Sequence, residues 1–299
     1  MVSCSGVNYG AIYHLEEPFE RGVINQALLI IRINNEMVDY NYFKYLFRIV
    51  LSRAITTGTG DSTIPNFPAM DVIKNIDVYL PDITRQKLIG KLLNDIDNKI
   101  NKNTVINDNL QQMAYAKYMH MFFGKKTNAK LGDIIIENPK STIQVGDAKD
   151  TDGKIPFFTS GDAIFKWPDT LVSGRNCYLN TGGNAGVKFY VGNAAYSTDT
   201  WCITARDNLS DYLYILLESI KPELNQKFFQ GTGLKHLQKP LLKDRPIYIP
   251  ELSELKEFND DIILWLTMIS DNIRETEELI SLRDWLLPML MNGQATISD

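Results

Sequence analysis

Two stretches of the chain, residues 84–123 and 251–291, carry apolar residues at alternating four- and three-residue steps. In the first, the steps fall on Ile89, Leu93, Ile96, Ile100, Asn103, Asn107, Leu110 and Ala114. The counterparts 173 residues later are Ile262, Leu266, Ile269, Ile273, Thr276, Ile280, Arg283 and Leu287, and the first four pairs are identical. A 3.5-residue period marks helices that pack along a seam, so both stretches are expected to be long helices; one of about 40 residues would reach roughly 60 Å. Each seam turns polar midway, at Asn103 and Asn107 in one and at Thr276 in the other. Such residues fix register at a cost in stability when buried, and they equally suit a bundle edge facing water. The starting signals also agree: Leu80-Pro81-Asp82 and Ile249-Pro250-Glu251 each end an extended segment and place an acid at a helix N-terminus.

The duplication extends upstream of both helices. Asn8-Tyr9-Gly10-Ala11-Ile12-Tyr13 resembles Asn184-Ala185-Gly186-Val187-Lys188-Phe189, and Tyr42-Phe43-Lys44-Tyr45-Leu46 resembles Tyr212-Leu213-Tyr214-Ile215-Leu216. Gly58-Thr59-Gly60 matches Gly231-Thr232-Gly233 in the same order. Residues 23–33, 73–80, 195–205 and 245–249 are β-rich runs, while 40–56 and 211–229 have helical periodicity. Each globular unit is therefore expected to be α+β with a curled sheet. The second repeat starts near Leu131, about 50 residues before Asn184, whereas only seven residues precede Asn8, so the first unit is expected to lack its opening strands.

Composition narrows the class without deciding it. With 44% hydrophobic and 22% charged residues over 299 positions, the chain reads as soluble and long enough for two cores. No apolar run approaches the roughly 18 residues of a membrane span and no signal-peptide plan opens the chain, so a cytoplasmic location is expected. Cys4, Cys177 and Cys202 form no CxxC pair and suggest neither a disulfide framework nor a zinc knuckle. A net charge of −5 argues against coating nucleic acid through bulk charge, though not against local basic surfaces.

The two matching helices, the phrases Ser62-Thr63-Ile64-Pro65-Asn66 and Tyr196-Ser197-Thr198-Asp199-Thr200, and the ending from Leu282-Arg283-Asp284-Trp285 to Asn292-Gly293-Gln294 resemble the specificity subunit of type I restriction–modification enzymes over the whole chain. The resemblance implies an α+β fold of two mostly-β target-recognition domains in pseudo-twofold arrangement, separated by two long antiparallel coiled-coil helices. It sets domains at 1–81, 125–250 for target recognition and at 82–124, 251–299 for the spacer helices. It further implies that each domain reads half of a split DNA target, that the helices dock methyltransferase subunits, and that these support a motor and nuclease subunit. S-adenosylmethionine, ATP and Mg would then be held by partners and not by this chain.

Base reading needs side chains that pair with base edges, and positioning on a duplex needs cations and amides near phosphates. In the second domain the loop candidates are Thr159, Ser160, Lys166, Arg175, Asn184, Lys188, Lys235 and His236; in the first they are Arg53, Thr59 and Ser62. Solvated surface charge is the competing reading of each, and Ser62–Asn66 competes as a structural corner. Thr181-Gly182-Gly183-Asn184-Ala185-Gly186 is followed by a strand pattern rather than a helix, which favours a hairpin over a phosphate loop.

Catalytic sets are not evident. Asn138-Pro139-Lys140 falls short of a methyltransferase Asn-Pro-Pro-aromatic motif, Glu254-Leu255-Lys256 has no acidic partner for a nuclease, and no Walker lysine loop is present. His14, His120 and His236 are too scattered for a metal site, so a chain without enzymatic activity is expected. Two other readings stay open: the specificity subunit of a type IIB-like system, and a coiled-coil scaffold that does not read DNA.

Overall fold

The computed structural model describes residues 1–4, 10–15, 22–58 and 70–297. Its helices in chain order are α1 (Tyr40–Gly58), α2 (Met70–Lys74), α3 (Ile83–Phe122), α4 (Val145–Lys149), α5 (Ser210–Ser219), α6 (Lys221–Glu223), α7 (Lys239–Lys243) and α8 (Leu252–Met291). Early strands are β1 (Val2–Ser3), β2 (Leu28–Leu29), β3 (Ala129–Lys130), β4 (Ile135–Glu137), β5 (Ile155–Phe158) and β6 (Ile164–Trp167). Later ones are β7 (Arg175–Asn180), β8 (Val187–Val191), β9 (Ala195–Tyr196), β10 (Thr200–Ala205), β11 (Phe229–Gln230), β12 (His236–Leu237) and β13 (Pro246–Ile247). Two compact units result: Met1–Lys102 with Thr276–Asp299, and Asn103–Glu275. The divisions fall inside α3 and α8, so each long helix contributes to both units.

Both 40-residue helices start and stop by the same chemistry. The Asp82 carboxylate accepts the Arg85 amide at 3.0 Å, and the Glu254 carboxylate accepts the Glu251 amide at 3.1 Å, so side chains satisfy amides that the first turn leaves open. Gly124 (φ +78°) and Gly293 (φ +71°) end the helices in the left-handed region that a side chain disfavours. Pro288 lies in the last turn of α8, where it has no amide to donate to the Asp284 carbonyl.

In the first unit, β1 pairs antiparallel with β2, and Val2 also bridges Ile12. Its core joins Val2, Tyr42, Tyr45 and Leu46 to Ile89 and Leu93 of α3 and to Leu290 and Met291 of α8, with Ala295 and Ile297 of the tail packed on top. Residues from both ends of the chain thus share one core. Polar side chains fasten it. Gln86, 1% exposed, accepts the Asp39 amide and donates to the carbonyls of Met37 and Pro81, while Tyr42 Oη donates to the Tyr79 carbonyl at 2.9 Å. The buried Asp97 accepts from Tyr45 Oη at 2.7 Å and from Arg283 at 2.8 Å. Burial alone would raise the Asp97 pKa, but these donors and the Arg283 charge hold it below the usual carboxylate value.

Two β-rich runs of the sequence differ from expectation here. Among the described residues, only Leu28–Leu29 of 23–33 pairs in a strand, and 73–80 forms the end of α2 and a segment with no described strand partner. The latter is held by the tyrosine hydroxyl on its carbonyl and by the half-buried Ile73 and Ile76 packed against the core.

His14 gives this unit a pH dependence. It lies edge-on to Tyr40 at 6.3 Å, and burial, with the charges of Lys44 and Arg48, lowers its pKa to about 4. An unfolded histidine titrates near 6.5, so between these values the unfolded chain binds more protons and stability falls with pH through that window. A His14→Gln chain is expected to lose less stability than the parent between pH 7 and 4.5 in urea unfolding; parallel pH slopes would refute this.

The second unit holds an antiparallel four-stranded sheet in the order β4-β10-β7-β8, and a three-stranded sheet β6-β5-β9 in which β5 and β9 run parallel. Two small pairs, β11-β12 and β13-β3, complete it. Its main core joins Ala114, Tyr118 and Phe122 of α3 and Leu255, Phe258, Ile262 and Leu266 of α8 to α5 and to the inner face of β7, β8 and β10. The fastenings of the first unit recur: Tyr212 Oη donates to the Tyr248 carbonyl, and Asn259, 173 positions after Gln86, donates to the Asn208 carbonyl at 3.0 Å. That carbonyl belongs to a tight turn with positive φ at Asp207 and Asn208.

Along the seam, Ile89, Leu93 and Ile96 are buried in the first unit and Leu110, Ala114, Ile262 and Leu266 in the second, with Ile100, Ile269 and Ile273 half-buried. In the second unit the polar midsection of the seam is internal. Asn103 is fully buried and donates to Glu275 at 2.8 Å, and Asn272 donates to Asn107 at 2.8 Å. These pairs, with Lys117 on Asp261, show that the two helical segments of this unit run antiparallel.

Candidate nucleic-acid interface

Four turns of the second unit meet at one edge: residues 159–163 between β5 and β6, 181–186 between β7 and β8, 197–199 between β9 and β10, and 231–235 between β11 and β12. Backbone bonds tie them together. Asp199 supplies the hub, its carbonyl accepting from Ser160 Oγ, Thr181 Oγ1 and the Thr181 amide. The Gly183 amide donates to the Lys235 carbonyl at 2.9 Å and the Leu237 amide to the Thr181 carbonyl at 3.0 Å, which anchors the 231–235 tip. Gly231 (φ +152°) tightens that tip, since a Cβ there would lie 2.6 Å from the Leu234 carbonyl oxygen.

The sequence candidates divide by place. Ser160, Asn184, Lys235 and His236 come together on this edge, with the last three exposed. Thr159 sits just behind, 3% exposed, its hydroxyl closing the β5–β6 turn on the Ala163 carbonyl at 2.9 Å. Lys188 is on strand β8 rather than a loop, and its ammonium donates to the carbonyls of Thr159 and Gly161. Burial lowers its pKa, partly offset by Asp162. Lys166 is on β6, opposite Pro156 and half-buried.

Arg175 likewise lies on a strand, at the far end of β7. Its Nε donates to Asp211 at 2.7 Å, Nη2 to the same carboxylate and to the Ile263 carbonyl at 3.1 Å, and Nη1 to Thr267 at 3.0 Å. This guanidinium fastens α5 to α8 within the unit. In the first unit Arg53 is exposed on α1 and donates to Asn292 at 3.0 Å. Thr59 and Ser62, with the Ser62–Asn66 phrase, lie outside the described residues.

Residues that sequence reasoning passed over also belong to the edge: Thr181 and Asp199 as hydrogen-bonding members, Gln230 exposed before the tip, and Leu234, 66% exposed on it. Gly231-Thr232-Gly233 flagged the turn, but nothing local marks Leu234 as exposed. The chemical fragments weighed in the sequence have structural uses. Asn138 donates to Asn176 at 2.8 Å and to Cys202 Sγ at 3.3 Å. Glu254 takes bonds from Lys125, Tyr248 and the Glu251 amide, which hold its pKa down to about 2. Among the described residues no group of three or more His, Cys, Asp or Glu side chains is placed to hold a metal.

The edge therefore presents exposed amide, imidazole and ammonium groups on fixed turns, which suits contacts with base edges and phosphates and offers no reacting pair. The sequence model of the type I restriction modification DNA specificity domain matches residues 7–112 and again 125–278. The chain belongs to this family. Each copy of the domain model covers one globular segment and much of the helix after it, so the internal repeat is a repeat of the family's domain. A type I restriction–modification S subunit from M. genitalium is similar in fold at a TM-score of 0.60, with 13% identity over 89% of this chain and 75% of that one. The HsdS subunit from Thermoanaerobacter tengcongensis matches over 89% of this chain and 73% of its own, at 16% identity and a TM-score of 0.36. No curated protein sequence matches the chain. Membership of the family makes recognition of DNA sequence the function of this specificity subunit. Among the described residues, no helix is long and apolar enough to cross a membrane.

Proposed function

We propose that this specificity subunit reads a bipartite target, one half through each family domain, and carries no catalytic centre of its own. The observation that carries this is the doubled domain match, each copy continuing into a seam-bearing helix. In this reading Ser160, Asn184, Lys235 and His236 contact one half-site, and Arg53, Thr59 and Ser62 belong to the first domain's contacts. The long helices dock methyltransferase subunits, which bind S-adenosylmethionine and methylate adenine, while ATP and Mg serve a motor and nuclease subunit in a cytoplasmic complex. Sites on one face of B-DNA recur about every 34 Å, so helices of fixed length select among half-site spacings.

Mapping adenine methylation in cells that carry the chain with its methyltransferase tests the proposal. A motif in two different halves supports two reading domains; a palindrome would mean that two copies of one domain read, and absence of any motif would refute the reading. Detecting methyl transfer or cleavage by the purified chain alone would refute the non-catalytic assignment.

The contact residues carry a separate expectation. Replacing Lys235 and His236 by alanine should weaken target binding by the assembled complex, and loss of one phosphate contact should reduce the salt slope by about one. Equal affinity for parent and variant at physiological salt would remove both from the interface.

A further inference from the structure

The tip between β11 and β12 combines chemistry that a purely electrostatic contact would not need. Among the described residues of the four turns, Leu234 is the exposed large apolar side chain, at 66% exposure. It stands between a glycine turn and the exposed Lys235 and His236, and it reaches over Gly182. The backbone beneath it is fixed by the Gly183 and Leu237 amide bonds and by the close approach of Gly231 to its own carbonyl. The side chain is therefore presented from a preorganised turn, which reduces the ordering cost of a contact.

In the major groove only the T·A pair offers an apolar feature, the thymine C5-methyl, next to the O4 acceptor and the adenine N7 and N6 groups. An aliphatic side chain flanked by donors matches that pattern, because the donors find acceptors on bases or phosphates while the aliphatic group covers the methyl.

Resting on the assignment of this edge to DNA, we propose that Leu234 is a specificity-determining residue that packs on the C5-methyl of one thymine in the half-site read by the second unit. Lys235 and His236 supply grip around it, and Leu234 supplies discrimination.

The test uses the full chain with its methyltransferase and duplexes carrying the mapped target, in which each thymine of both strands is replaced in turn by uracil. Uracil removes the methyl group and leaves the pairing edge unchanged. The parent complex should lose about fourfold in affinity at one position, the worth of one buried methyl. Leu234→Ala should bind the target several-fold more weakly and show no loss at that position, while Leu234→Met, which keeps an apolar contact, retains it. Identical uracil profiles for parent and Leu234→Ala, or a profile flat at every thymine, would overturn the proposal. A complex that does not prefer its target over a scrambled duplex would instead overturn the assignment of the edge to DNA, before any uracil duplex is examined.

Discussion

Replacing Arg175 by methionine is expected to destabilise the second unit by about 3–5 kcal/mol, the usual consequence of removing one partner from a buried ion pair. The Asp211 side chain is 2% exposed, and Arg175 gives it two hydrogen bonds while also bonding Thr267 and the Ile263 carbonyl. Burial pushes the Asp211 pKa up, and Arg175 pulls it back. Burial prevails even with the guanidinium in place, and without it the balance moves further toward the protonated acid. The sign of the pH dependence follows: a folded pKa raised above the unfolded value near 4 means stability present at low pH and lost as pH rises. The deficit of Arg175→Met relative to the parent should therefore shrink as pH falls toward 4. Adding Asp211→Asn should restore part of the stability at pH 7 by removing the stranded charge. Urea unfolding of the three chains at pH 4.5, 6 and 7.5 decides. A variant as stable as the parent but deficient in DNA binding would show that Arg175 acts as the sequence suggested, as a contact and not as a fastener.

The position of Arg175 illustrates what a linear reading can see. A cation beside a glycine turn looks like a contact to a phosphate, because its carboxylate lies 36 residues away on another element. Lys188 is a similar case, since the carbonyls that take its ammonium belong to a turn 27 to 29 residues earlier. Segment 73–80 has the composition of a strand, but among the described residues no ladder partner meets it, and the hydroxyl of Tyr42 bonds the Tyr79 carbonyl. By contrast, the long helices were legible because their apolar period, the acids at their starts (Asp82 before the first, Glu251 and Glu254 at the second) and their glycine ends are all local signals that agree. The duplication was legible for a related reason: repeated burial demands repeated residues, as with Tyr42 and Tyr212 donating to the carbonyls of Tyr79 and Tyr248. The turns at 159–163, 181–186 and 231–235 were marked by glycines, but their convergence depends on strand pairing, which a linear pattern does not display.

Aspartate at Ile96 or at Ile269 is expected to have the other large effect, each in its own unit. Ile96 is 7% exposed on α3, and Ile269 packs against the second core from α8. Truncating a buried isoleucine costs about 2–5 kcal/mol, and an unpaired carboxylate in its place adds desolvation or forces protonation. The polar positions of the seam offer no relief. Next to Ile96, Asp97 already takes Arg283, so a new acid there meets like charge. Ile96→Leu and Ile269→Leu, which conserve volume, should cost less than about 1.5 kcal/mol and serve as controls. If the helices are what methyltransferase subunits grip, the aspartate chains should fail to co-elute with the methyltransferase on a sizing column while the leucine chains elute as the parent does. A complex of normal size formed by Ile96→Asp together with Ile269→Asp would show that neither seam position supports docking. Loss of the complex by the leucine controls as well would trace docking to the shape of the seam residues themselves rather than to the integrity of the helix pair beneath the partner.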